Sequence, residues 1–153
     1  MEINKLLKEI DNIDLISNED WMSSLEDRKL KELEFHNKDR DLNRVKESQA
    51  NDTYEKFYGN KKYYTVTARS RKYTDSWIKN NSKDKVFLDY ACGNGANARI
   101  AAKAGAKLAL GIDISDVSVK NAKKLAKKEG LTNIRYLQAD AENTKLPSDS
   151  IDT

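Results

Sequence analysis

The first half of the chain shows the spacing of apolar residues that is typical of helices. Apolar residues recur every three or four positions near the amino terminus, at Ile3, Leu6, Leu7 and Ile10. This spacing places them on one face of a helix. Two further helix starts are predicted at Ser17 and Ser23. An acidic residue follows each serine three positions later, which is the spacing found where a serine caps the start of a helix.

A fourth helix is predicted over about residues 64–78, where Val66, Tyr73 and Trp77 mark one face. Asparagine, serine and aspartate residues at positions 80–84 then interrupt the pattern. Residues 41–50 are so polar that a poorly packed helix and a loop both stay open there. The amino-terminal half is therefore expected to be largely helical.

From Lys85 onward, short apolar runs alternate with helical segments. Three strands are predicted, at Val86–Tyr90, Leu108–Ile112 and Ile134–Gln138. An alanine-rich helix at 96–104 separates the first two, and a helix capped by Ser115 and ended by Gly130 separates the others. This alternation predicts right-handed βαβ units, and hence an α/β fold with a parallel sheet.

Two regions follow from this change of pattern: residues 1–84 as a helical region and residues 85–153 as part of a nucleotide-binding domain. The sequence ends at Thr153 in what resembles the approach to a fourth strand. We therefore expect a natural or cloned fragment. Because an unpaired strand edge favours association, the alternative is that a second copy or another partner covers that edge.

The composition indicates a soluble globular protein with a highly charged surface. Of the 153 residues, 38% are hydrophobic and 35% are charged, and no apolar run approaches the roughly 20 residues that cross a bilayer. The amino terminus lacks the apolar centre of a secretory signal. Cys92 is the only cysteine, so no internal disulfide can form and a cytoplasmic location is expected.

The net charge of +3 is small, but basic residues cluster in two places. The first cluster, around residues 61–73, is interleaved with tyrosines and is compatible with single-stranded nucleic acid as well as with a helix beside a ligand. The second lies at 120–128, on the polar side of a predicted helix, where a solvated outer face explains it.

The most informative segment is the turn after the first predicted strand, Asp89-Tyr-Ala-Cys-Gly93-Asn-Gly95. Glycines let the backbone turn sharply and approach a ligand closely. Asp113 likewise comes at the end of the second strand, and Asp140 lies just after the third. Because the carboxyl ends of parallel strands share one edge of a sheet, the three carboxylates and the turn are expected to converge on one crevice. No metal-ligand spacing is present.

Two kinds of cofactor fit such a crevice. The turn satisfies the G-x-G-x-x-G/A pattern of dinucleotide sites, and Asp113 lies near the distance expected for an acid that binds ribose hydroxyls. A pyrophosphate on this turn would however be repelled by Asp89. A ligand with a cationic amino-acid end would be attracted instead.

The segment resembles the class I S-adenosylmethionine-dependent methyltransferases. Four motifs occur in the family's order, in the segments 89–95, 111–115, 138–142 and 146–152. The last, Leu-Pro followed by an apolar residue and Asp152, resembles the ubiquinone/menaquinone-biosynthesis-like branch. The resemblance covers about residues 85–152, the amino-terminal portion of the catalytic domain, and implies a Rossmann-like three-layer αβα sheet.

The resemblance also implies roles for individual residues. The methionine end of S-adenosylmethionine would lie near Asp89, Ala91, Gly93 and Gly95. The adenosine end would lie near Asp113, which accepts from the ribose, Ile114, which packs on the adenine, and Asp140 and Ala141, which meet the adenine edge. Tyr64 and Arg71 are candidates for binding the cofactor carboxylate. His36 is a candidate base or an ordinary surface residue, and no catalytic residue is assigned.

The expected function is transfer of a methyl group from S-adenosylmethionine to a small-molecule acceptor, leaving S-adenosylhomocysteine. Two alternatives stay open: an RNA methyltransferase, supported by the basic tyrosine-rich segment, and a non-catalytic nucleotide or dinucleotide-binding module.

Overall fold

A computed structural model of the chain describes residues 2–40 and 67–153. Four helices precede the sheet in these ranges: α1 (Ile3–Asp14), α2 (Asn18–Ser23), α3 (Asp27–Arg40) and α4 (Ala68–Asn81). Strands and helices then alternate as β1 (Val86–Tyr90), α5 (Ala96–Lys103), β2 (Leu108–Asp113), α6 (Asp116–Lys128) and β3 (Ile134–Gln138). Over these ranges, the predicted order of amino-terminal helices followed by βαβαβ is confirmed.

The three strands form one parallel sheet in the order β1-β2-β3. Asp89 of β1 lies beside Gly111 of β2, and Asp113 of β2 lies beside Gln138 of β3. β2 extends one residue further than predicted and therefore includes Asp113. This register brings the acidic carboxyl ends of the strands to one edge of the sheet.

Alternate residues of each strand face opposite layers of helices, as the pleat requires. On one face, Phe87, Ala109 and Tyr136 pack with Ile78 of α4 and with the apolar sides of α5 and α6. The helix residues there are mostly alanines, which allow the helices to lie close to the sheet: Ala98, Ala101, Ala102, Ala122 and Ala126.

The other face of the sheet is covered by the amino-terminal helices. Leu6, Ile10 and Ile13 of α1 and Trp21 of α2 are buried against even-numbered residues of β1 and β2 and against β3. The predicted apolar face of the first helix is thus confirmed, and its partner is the sheet itself. The result is the expected three-layer αβα arrangement.

Local differences from the predictions have local causes. Ser17 caps α2 by accepting a hydrogen bond from the Asp20 amide, as predicted. The helix start predicted at Ser23 is wrong, because Ser23 belongs to the end of α2, where its hydroxyl donates to the Asp20 carbonyl.

The fourth helix also departs from its predicted limits. It continues to Asn81, whose side chain donates to the carbonyl of Trp77 within the helix. Tyr73 and Trp77 are exposed rather than packed. The predicted start at about residue 64 lies outside the described residues, as do Val66 and the segment 41–50.

The free edge of β1 is partly paired by the last residues of the sequence. The Thr153 amide donates to the Val86 carbonyl and the Leu88 amide donates to the Thr153 carbonyl, the pattern of a parallel pair. The carboxylate of Asp152 also accepts from the Val86 amide, at 2.7 Å. Within the described ranges, no helix is long and apolar enough to span a bilayer.

Candidate functional site

The turn between β1 and α5 is built from residues in the left-handed backbone region. Ala91, Gly93 and Gly95 have φ values of 50°, 52° and 71°. A Cβ atom on Gly95 would lie 2.3 Å from the ring of Tyr136, so only glycine fits there. The Tyr136 hydroxyl also donates to the Gly95 carbonyl, at 2.8 Å. Strand β3 therefore supports the turn from inside the protein.

Asp113 connects the turn to the end of β2. One carboxylate oxygen accepts from the Gly93 amide at 2.8 Å, and the other accepts from the Ser115 amide at 2.9 Å. The side chain is nearly buried, and Ser115 in turn caps α6 by accepting from the Ser118 amide. The carboxylate predicted to bind ribose is thus held in place by two backbone N–H groups.

Asp89 lies at the base of the same turn. Its carboxylate accepts from the Ala98 amide at 3.2 Å and from the Asn97 side-chain amide at 3.3 Å. Burial raises the pKa of Asp89, while these hydrogen bonds and the positive charge of Arg71 partly oppose the rise. The Asn97 side-chain oxygen is buried and has no hydrogen-bond partner among the described residues.

A cavity of about 280 Å³ opens beside Asp113, between α3 and the carboxyl ends of β2 and β3. It brings together five of the residues predicted from sequence, namely Ala91, Asp113, Ile114, Asp140 and Ala141. Asp89, Gly93 and Gly95 belong to the adjoining turn and are not among its lining residues. The expected convergence of the strand ends is therefore present, with Asp89 set back from the cavity wall.

Asp140 is held by groups from two directions. Its Oδ1 accepts from the Glu142 amide at 2.9 Å, and its Oδ2 lies 2.5 Å from Nζ of Lys29 in α3. Burial acts to raise the pKa of Asp140, but the hydrogen bonds from Lys29 and from the Glu142 amide outweigh it and hold the pKa below its ordinary value. Nζ of Lys29 also lies 2.8 Å from a carboxylate oxygen of Glu142.

The remaining candidates are less closely associated with the cavity. Arg71 is half exposed near the start of α4 and pairs with Asp75 at 2.9 Å. Tyr64 lies outside the described residues. His36 lines the cavity, 4.0 Å from a carboxylate oxygen of Glu32. Cys92 packs against the core, and burial raises the pKa of its thiol, which agrees with a packing role.

Sequence reasoning missed three residues of the site: Lys29, Asn97 and Tyr136. Asn97 could have been noticed as a polar residue in the first turn after the glycines. Lys29 and Tyr136 gave no comparable signal, because each acts on a partner that is distant in sequence.

Comparison with known proteins identifies the segment that contains this turn. Residues 87–153 match a family model described as a methyltransferase domain. This segment belongs to a methyltransferase family. The match confirms the predicted relationship over the strands and the turn, whereas the ubiquinone/menaquinone-like branch stays a prediction.

Curated relatives of the methyltransferase segment include enzymes that are named for protein substrates. Protein arginine N-methyltransferase 1 of Saccharomyces cerevisiae is 36% identical over 89 residues, which cover 56% of this chain and 25% of the yeast protein. The ribosomal protein L11 methyltransferase of Clostridium botulinum is 44% identical over 57 residues, covering 37% of this chain and 18% of that protein. The chain thus spans a quarter or less of either relative.

Solved structures similar to the methyltransferase segment include the YcgJ protein from Bacillus subtilis, with a TM-score of 0.48 and 27% identity. That alignment covers 52% of this chain and 34% of the YcgJ chain. A Trypanosoma brucei PRMT1 complex with AdoHcy has a TM-score of 0.46 and 28% identity, over 57% of this chain and 26% of that one.

Proposed function

We propose that this chain carries the cofactor-binding part of an S-adenosylmethionine-dependent methyltransferase. The observation that supports this most directly is the double hydrogen bonding of Asp113, which joins the glycine turn to the end of β2 beside a cavity. That arrangement lies within the segment that matches the methyltransferase family.

The methionine end of the cofactor would lie at the turn, near Asp89, Ala91, Gly93 and Gly95. The fit rests on the negative charge of the Asp89 carboxylate and on the side-chain oxygen of Asn97. Asp89 is a buried carboxylate, and beside it the Asn97 side-chain oxygen has no hydrogen-bond donor among the described residues. A cationic amino group would supply both a counter-charge and a donor.

The adenosine end would occupy the cavity. The side chain of Asp113 would accept from the ribose hydroxyls with its remaining lone pairs, and Ile114 would pack on the adenine. Asp140 would accept from the adenine amino group, and the Ala141 amide would reach a ring nitrogen. All four line the cavity, and its volume of about 280 Å³ suits a nucleoside.

The carboxylate of the cofactor needs a cation, and Arg71 is the candidate that the described residues offer. Its charge is close enough to lower the pKa of Asp89. We propose that Arg71 exchanges its surface partner Asp75 for the cofactor carboxylate. Tyr64 stays a candidate for the same role.

When bound, S-adenosylmethionine supplies an electrophilic methyl group on a sulfonium. The residues of this chain would hold its two ends in the turn and in the cavity, so that the methyl group faces the acceptor. The contribution of the protein to such a transfer is chiefly proximity and alignment. No described residue is assigned as a base.

The acceptor is proposed to be a small molecule, as expected from the sequence. The printed names of the curated relatives supply a second candidate, a protein side chain. The basic tyrosine-rich segment that favoured RNA lies largely outside the described residues.

Calorimetry on the 153-residue chain tests the proposal. S-adenosylhomocysteine should bind, and Asp113→Ala should weaken that binding by about tenfold or more, since a carboxylate that accepts from ribose is lost. Asp11→Ala, which removes an exposed carboxylate of α1, is the matched control and should bind normally.

The same titration with NAD separates the dinucleotide alternative. Binding of NAD without S-adenosylhomocysteine would replace the proposal by that alternative. Equal affinities of the parent and Asp113→Ala for S-adenosylhomocysteine would refute the assigned site.

A further inference from the structure

Helix α3 crosses the cavity and is attached at both of its ends to the sheet domain. Near its start, Lys29 contacts Asp140 and Glu142, and Arg28 contacts Glu142 at 3.1 Å. Towards its other end, the Asn37 side chain accepts from the Ser115 hydroxyl. The helix therefore forms a strap over the carboxyl ends of β2 and β3.

The attachment at Lys29 is unusual in its location. Lysine is rarely buried unless it is paired, and Lys29, only 8% exposed, is paired at the edge of the cavity. Its ammonium group donates a hydrogen bond to Asp140, the carboxylate that the proposed function assigns to the adenine amino group. The hydrogen bonds that Lys29 donates to the carboxylates of Asp140 and Glu142 raise the pKa of Lys29, so the group stays charged at neutral pH.

We propose that Lys29 competes with the nucleobase for Asp140, so that the strap must release its ammonium group when adenosine enters the cavity. This inference rests on the proposed function. Both oxygens of Asp140 already accept hydrogen bonds, one from Lys29 and one from the Glu142 amide. Each oxygen keeps a lone pair, as the oxygens of Asp113 do, but Lys29 lines the same cavity as Asp140, and a neutral amino group is a weaker partner for this carboxylate than the ammonium group already bound to it.

The competition has a consequence for base selectivity. Adenine presents an amino donor at position 6 and needs Asp140 as an acceptor. Hypoxanthine presents a carbonyl oxygen at the same position, which would accept from Lys29 without displacing it. Lys29 therefore reduces the preference of the site for a 6-amino purine over a 6-oxo purine.

Calorimetry with Lys29→Met and two probes tests the proposal. The affinity for S-adenosylhomocysteine should rise by about three- to tenfold. The reason is that Asp140 is then available to the adenine in every molecule, and not only in the fraction in which Lys29 has released it. The affinity for S-inosylhomocysteine should fall, because its carbonyl oxygen loses its donor. A purely structural role of Lys29 would not change the ratio of the two affinities.

Lys123→Met is the matched control. Lys123 also joins the amino-terminal helices to the sheet domain, with Nζ 2.7 Å from a carboxylate oxygen of Asp14, but it does not line the cavity. This variant should leave both affinities unchanged. Lys29→Gln provides a second test if Lys29→Met does not fold, since it removes the charge and keeps a polar side chain.

A salt series compares the parent protein with Lys29→Met. S-adenosylhomocysteine carries one positive and one negative charge, whereas the partner Glu142 of Lys29 is largely exposed. Raising the salt concentration from about 0.05 M to about 0.5 M should weaken the proposed contacts of Asp89 and Arg71 with the ligand in every variant, but in the parent it should also weaken the exposed pair of Lys29 with Glu142. The affinity should therefore fall less in the parent than in Lys29→Met, and equal falls would contradict the competition.

The outcomes distinguish failure of the competition for Asp140 from failure of the proposed function. An unchanged ratio of affinities, or weaker binding of S-adenosylhomocysteine by Lys29→Met, would overturn the competition while leaving the proposed function intact. If neither the parent nor any variant binds S-adenosylhomocysteine, the proposed function fails and the competition fails with it.

Discussion

The hydroxyl of Tyr136 donates a hydrogen bond to the carbonyl of Gly95 at 2.8 Å, joining β3 to the turn that follows β1. The two residues are 41 positions apart and both are buried. The Tyr136 ring occupies the space where a Gly95 side chain would lie. The shape of the turn therefore depends on the third strand of the sheet.

A methyl group at Gly95 should be strongly destabilising. Gly95→Ala combines a left-handed φ of 71° with a Cβ contact of 2.3 Å to Tyr136, and we expect a loss of at least about 2 kcal/mol in unfolding free energy. Gly130→Ala is the control, because its φ of 67° is similar but no atom lies within 4 Å of its Cβ. Urea denaturation should show the larger loss for Gly95→Ala, and equal losses would contradict the role of Tyr136.

Removing the Tyr136 hydroxyl should have a smaller effect. Tyr136→Phe keeps the ring and leaves the Gly95 carbonyl without this donor, at a cost of about 1–2 kcal/mol. The turn would also be less well positioned, so affinity for S-adenosylhomocysteine should fall more than affinity for adenosine. Calorimetry with both ligands measures the difference, and a parallel loss for both would indicate a purely structural effect.

The charged carboxylate of Asp89 should lower the stability of the fold at pH 7 but strengthen the binding of the cofactor. Burial raises its pKa, so the charged form is disfavoured in the folded state. The stability that this group contributes is present below its ordinary pKa of 3.8 and is lost as pH rises through the raised value. Asp89→Asn should therefore keep or increase thermal stability at pH 7 while weakening S-adenosylhomocysteine binding about tenfold. A variant that is both less stable at pH 7 and normal in binding would contradict this role.

The attachment of α3 should weaken in acid. The pKa of Asp140 is held below its ordinary value of 3.8, so its contribution to stability is present above that value and is lost as pH falls through the lowered one. Hydrogen exchange along α3 should accelerate in that pH range before the sheet is affected. Lys29→Met should already exchange faster at neutral pH and should show little further change there.

Helix α1 should stabilise the domain through the face that it buries. Ile10 is 1% exposed and packs on the sheet, so Ile10→Ala should cost about 2–5 kcal/mol. Leu15 is 83% exposed just after the helix, and Leu15→Ala should change stability by less than about 0.5 kcal/mol. Thermal unfolding compares the two, and a similar loss for both would show that α1 does not depend on this face.

The sequence was sufficient for the parts of this protein that local pattern controls. Strands at 86–90, 108–112 and 134–138 were predictable because each is a short apolar run between turns or helix ends. The glycine turn and Asp113 were predictable because their order along the chain follows the βαβ unit. Parallel strands must end on one side, so Asp113 and Asp140 were expected to share the cavity that they do line.

Tertiary structure alone decided which distant groups occupy that site. Lys29 reaches Asp140 across 111 residues, and Tyr136 reaches Gly95 across 41. Neither pair follows any periodicity, since packing between separate elements brings the partners together. Helical spacing likewise predicted that α1 has an apolar face but not which surface it covers. The sequence by itself determined the strands, the glycine turn and the acidic residues at the carboxyl ends of the strands. Packing determined which surfaces the amino-terminal helices cover and which of their side chains reach those acidic residues.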